Sequence, residues 1–185
     1  MKKILTILIF IIPLVCFGQK SDLKPDVSVS GIRLKDGSSV EAIFPHYKEL
    51  LDFPLAAEIF LLNSDKSETL TISFYPGSDA YSPMEFHVTS TDKKQLNKSK
   101  TVKLNVSRFK TESNIKLNIS MEDLFKIMGK DFKLEKNGEQ EIVKYRINNI
   151  ESSEFLKSYG LPEYFANFTF QKGSLIKFDL GFTNP

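Results

Sequence analysis

The feature that most constrains this chain is a two-residue alternation of apolar and polar side chains that returns along most of its length. Leu70, Ile72 and Phe74 alternate with Thr69, Thr71, Ser73 and Tyr75; Met84, Phe86 and Val88 alternate with Glu85, His87 and Thr89; Val102, Leu104 and Val106 form a further run. Near the end Val143, Tyr145 and Ile147 face away from Lys144 and Arg146. Two last runs follow, Ala166, Phe168 and Phe170, then Ile176, Phe178, Leu180 and Phe182. Successive strand side chains point to opposite faces, so each run predicts a strand with one buried side. A slip of one residue would expose every apolar group in a run, which pins the register. Turn signals separate the runs: Pro76-Gly-Ser-Asp79, Lys136-Asn-Gly-Glu139 and Lys172-Gly-Ser174. Within the second of these, Asn137-Gly138 predicts the two central residues of a type I′ hairpin. Phe occurs 16 times, Tyr 6 times and Trp not at all, which predicts an aromatic sheet core.

One stretch breaks the alternation. Met121, Leu124, Phe125 and Met128 share a helical face, with Ser120 placed to cap the start and Gly129 to end it in a left-handed conformation. Glu122 and Asp123 lie at the positive end of the helix dipole, Lys126 and Lys130 toward the negative end. So short a helix needs a sheet to lean on. Earlier, Val27, Val29, Ile32 and Leu34 predict a first strand. Ser38 or Ser39 can cap a helical turn carrying Val40, Ile43 and Phe44, and Pro54 breaks a helical segment before a strand near 58–62.

Gly31-Ile-Arg-Leu34 aligns with Asn114-Ile-Lys-Leu117, and with one inserted residue Val40, Ile43 and Phe44 align with Leu124, Ile127 and Met128. The expected fold class is therefore α+β: antiparallel sheets covered by short helical segments, in a tandem repeat of two units, 27–90 and 101–185. The polar run 91–100 is expected as a linker or long hairpin tip.

The first 18 residues predict an export signal: Lys2 and Lys3, an apolar run from Ile4 to Val15, then Cys16 and Gly18 at the positions a signal peptidase favours. The run is shorter than a membrane span. Cleavage before Gln19 would leave a polar lead, 19–26, on a periplasmic or secreted chain with no membrane span. It would also remove the only cysteine, and with it any disulfide or thiol chemistry. Lys2 and Lys3 belong to the 25 Lys and Arg that face 23 Asp and Glu, so the remainder is balanced and has no general attraction to nucleic acid.

The segment Asn114-Ile-Lys-Leu-Asn-Ile-Ser-Met-Glu-Asp-Leu-Phe-Lys-Ile-Met-Gly129, with hairpins after it and the closing Phe168-Thr-Phe-Gln-Lys-Gly-Ser-Leu-Ile176, resembles the β-lactamase-inhibitor-protein-like and SmpA/OmlA-like outer-membrane assembly lipoprotein group. The resemblance covers 110–182 and extends to 27–90. It departs from the inhibitors in lacking cysteine pairs and from the lipoproteins in lacking a lipobox. It implies protein binding and supplies no contact residue by motif.

Chemistry-bearing motifs are sparse. His46 and His87 have no second ligand at a metal-site spacing, and Asp79 and Glu85 stand near a turn without a calcium-loop pattern, so no metal and no cofactor is expected. No catalytic residue is assigned, and the sequence leans away from an enzyme. A hydrolase or carbohydrate-active enzyme would need Asp79, Glu85, Glu154 and Glu163 to converge from loops. An immunity or inhibitor protein against a secreted toxin is a further alternative. The leading expectation is an exported binding module whose free sheet face meets a protein or cell-envelope component. Its candidate contacts are Tyr75, His87, Arg146, Phe165 and Lys177, which combine the aromatic and Arg character of binding hot spots.

Overall fold

The computed structural model describes residues 24–51, 57–77, 80–92, 101–129 and 132–183. The stretch 1–18 expected as an export signal, Pro54, Asp79, Lys130 and most of the 91–100 run lie outside them.

The α+β expectation holds. A small hairpin of β1 (Ser28–Val29) and β2 (Ile32–Arg33) leads to helix α1 (Gly37–Ile43) and a 3-10 turn (Tyr47–Leu50). Then come β3 (Ala57–Leu62), β4 (Glu68–Phe74), β5 (Glu85–Ser90) and β6 (Thr101–Lys103). Helix α2 (Met121–Met128), β7 (Lys133–Asn137), β8 (Gln140–Ile147), α3 (Glu154–Tyr159), β9 (Tyr164–Gln171) and β10 (Ser174–Phe182) complete the order. Eight strands form one sheet in the order β6-β3-β4-β5-β10-β9-β8-β7, all neighbours antiparallel except β3 and β6. The strands of both expected units thus lie in one sheet, joined where β5 pairs with β10.

Most inward residues of the alternation bury, whereas Val102, Val106, Tyr145 and Ile147 stay partly exposed. Leu70, Ile72, Phe74, Phe86, Val88, Val143, Ala166, Phe168, Phe170, Phe178, Leu180 and Phe182 share one core with Val40 of α1, Leu124 of α2 and Leu156 of α3. All three helices therefore bury side chains in the core carried by the same sheet face. Phe155 of α3 reaches Tyr164 and Phe182 in ring contacts of 5.3 and 5.9 Å. The Ser120 hydroxyl accepts from the Asp123 amide at 3.0 Å, the expected cap of α2. Gly129 ends that helix at φ 72°, ψ −150°, a positive φ outside the left-handed helical basin.

Several local expectations are corrected. Val27 to Leu34 is a tight hairpin rather than one strand, because Ser30 and Gly31 both take positive φ between β1 and β2. Asp36, not Ser38 or Ser39, caps α1, since its carboxylate accepts from both serine amides. In the hairpin joining β7 and β8, Asn137 pairs with Gln140, which makes Gly138 and Glu139 the central residues. Between Leu175 and Lys177 the register of β10 shifts, so Leu175 is buried in place of Ile176.

The run from Val102 to Val106 also ends early as a strand. Its continuation is drawn away by a buried carboxylate: Glu68, 4% exposed, accepts from Arg108 Nε and from the Phe109 amide, each at 2.8 Å. Arg108 donates further to the Leu117 carbonyl at 2.7 Å. A charge so buried needs such partners.

Candidate functional site

The face of the sheet opposite the helices is built in rows by strand register. Phe60, Thr71, His87, Asp179, Asn167, Lys144 and Lys133 follow one another across it. To one side run Glu58, Ser73, Glu85, Gly181, Phe165 and Arg146; to the other, Thr69, Thr89, Lys177, Thr169, Ile142 and Glu135. Every one of the five sequence-selected residues therefore belongs to this face. His87, Arg146, Phe165 and Lys177 stand in the rows, and Tyr75 reaches them from the end of β4.

Two groups result. The first lies at the join of β5 and β10. His87 Nδ1 meets Asp179 Oδ1, and Lys177 Nζ lies 3.4 Å from the other oxygen of the same carboxylate. Asp179 Oδ1 is buried and, this charge contact apart, has no hydrogen-bond partner among the described residues. Beside this, Tyr75 donates its hydroxyl to Glu85 Oε1 at 2.8 Å. Burial pushes the Glu85 carboxyl above its ordinary range; the Tyr75 hydrogen bond works against the shift, and the nearby charges of Asp179 and Glu58 add to it. Burial and the bond to Glu85 push the Tyr75 phenol up to about 12.

The second group is a braced cation on an aromatic ring. The Arg146 guanidinium lies 5.3 Å from the centre of the Phe165 ring. It donates to Asn167 Oδ1 at 2.9 Å and to the Tyr145 carbonyl at 2.8 Å, and approaches Glu163 at 3.3 Å. Its donors are largely spent within the chain, so Arg146 and Phe165 present a fixed plate rather than a free cation. Next to it Lys144 bonds Glu135 at 2.6 Å.

Gly181 sits between the two groups. A Cβ there would come within 2.6 Å of the Met84 carbonyl and 2.8 Å of Glu85 Cγ, so only glycine lets Glu85 lie this close. Sequence reasoning missed Asp179, Gly181 and Glu58 as members of the face. The outward parity of Asp179 between Phe178 and Leu180 was the available signal.

Of the acids a loop-built hydrolase site would need, Asp79 lies outside the described residues and Glu163 lies against Arg146. Glu154 is on α3, on the helix side of the sheet, with its side chain 88% exposed, whereas Glu85 is on the opposite face. Among the described residues no group of three or more His, Cys, Asp or Glu could hold a metal ion, and no helix is long and apolar enough to cross a membrane. No family model matches the chain, and neither the curated proteins nor the solved structures give a match.

Proposed function

We propose that this chain is an exported binding module that presents the helix-free face of its eight-stranded sheet to a protein or cell-envelope partner. One observation carries this: the three helices bury into one side of the sheet, while the other side holds two ordered polar and aromatic groups, of which Tyr75 alone also packs against the core. A pre-formed Arg146–Phe165 plate loses little side-chain freedom on contact, which is the property that makes such residues effective at interfaces. The export signal and the resemblance to helix-plus-sheet binding proteins point the same way.

Site-specific photocrosslinking tests it. A crosslinkable residue at Thr89 or Lys177 should give a discrete product from an envelope extract, and one at Glu154 on the helix side should not. Replacing both Arg146 and Phe165 by Ala should reduce the product at least about tenfold, the loss expected when one hot-spot cluster is removed. Equal products from both sides, or none from either, would overturn the assignment.

A further inference from the structure

We propose that the join between β5 and β10 is a proton-responsive joint, in which the Glu85 carboxyl is the group that takes up the proton. Five register pairs connect the two halves of the sheet there, from Lys177 with Thr89 to Gly181 with Glu85. Glu85 lies across the join itself, its Cγ packed where a side chain at position 181 would otherwise stand. Among the described residues, Glu58 from β3, Tyr75 from the end of β4, His87 from the same strand and Asp179 from β10 are the titratable groups that act on it, with Lys177 beyond Asp179. The two cation-forming groups, His87 and Lys177, both contact Asp179. Glu85 has a neutral phenol as donor; the two carboxylates Asp179 and Glu58 oppose its charge, and His87, the weakest of these influences, favours it. Taking up a proton removes that repulsion and the cost of burying an anion in one step.

The sign follows from the direction of the shift. A carboxyl whose folded-state value is raised adds stability that is fully present below the ordinary glutamate value and is lost as pH rises through the raised one. The join is therefore tighter in mild acid than at neutral pH. This does not depend on any binding partner, and it is measured on the full chain alone.

The urea midpoint of the wild type at about pH 5 and about pH 7.5 gives the reference difference. Glu85→Gln should raise the midpoint at the higher pH and remove most of the difference. A variant that keeps the full wild-type difference would overturn the proposal. Should Glu85→Gln not fold, the carboxyl-carbon NMR titration of Glu85 in the wild type decides directly: a midpoint above the ordinary 4.5 supports the joint, and one at or below it overturns it. In the same titration Asp179→Asn should lower the midpoint and Tyr75→Phe should raise it.

Discussion

Gly181 shows how one position without a side chain can set the spacing of two strands. Its Cβ site is occupied by Met84 backbone and by Glu85, so Gly181→Ala must push backbone against backbone. The expected cost is about 1–3 kcal/mol, the range for overpacking a close contact, readable as a lower urea midpoint. Glu68 and Arg108 make a different residue-scale case. Arg108→Ala would leave a buried carboxylate with one backbone donor on Oε2, and the expected loss is about 3 kcal/mol, the low end for breaking a buried pair because Arg108 keeps partial contact with water. Neither residue announces itself in the sequence. The outward position of Arg146 and Phe165 was readable from parity, but their stacking, and the spending of the Arg146 donors on Asn167 and Tyr145, depend on strand neighbours that only register reveals.

Elements were legible where local signals agree. Ser120, Glu122, Asp123 and the stripe around Leu124 all specify the same helix, and α2 begins one residue after its cap. Ser120→Ala should cost about 1 kcal/mol, seen as a lower thermal midpoint with little change in the sheet signal. Lys172 and Gly173 both take positive φ in the turn joining β9 and β10, as a type I′ turn requires. Legibility failed where distant groups decide. The alternation of 102–106 is as regular as that of 70–74, yet β6 stops at Lys103 because the following residues turn toward Glu68, some forty positions away in the chain. The bulge at Ile176 is hidden for a similar reason: Leu175 is drawn inward by its partner Phe170, by accepting from the Asn118 amide and by donating to the Ile119 carbonyl, which no period within β10 encodes.

For the whole molecule, 31–34 and 114–117 have local features in common: Gly31 and Asn114 both have positive φ, Ile32 and Ile115 are both buried, and Asp36 and Ser120 each cap the helix that follows. The acid side of the stability profile has its own residues. The Ser38 hydroxyl holds Asp36 below the ordinary aspartate range, so the stability it adds is present above that range and is lost as pH falls through the lowered value. With Glu85 acting in the opposite direction, maximal stability is expected in mild acid, checked by urea midpoints taken across pH; a maximum above neutrality would contradict it.

The Tyr164 hydroxyl donates to the Asp26 carbonyl at 2.5 Å, across 138 positions of chain, and Val29 bridges to Thr111. The earliest residues of the core are thus among the last to find their partners when the protein is made from its first residue onward. Contacts of such long range slow folding. A polypeptide still waiting for β10 keeps half of its central join unpaired and has no complete native state to adopt. Shortening the chain before Ser174 should therefore leave protease resistance unattained.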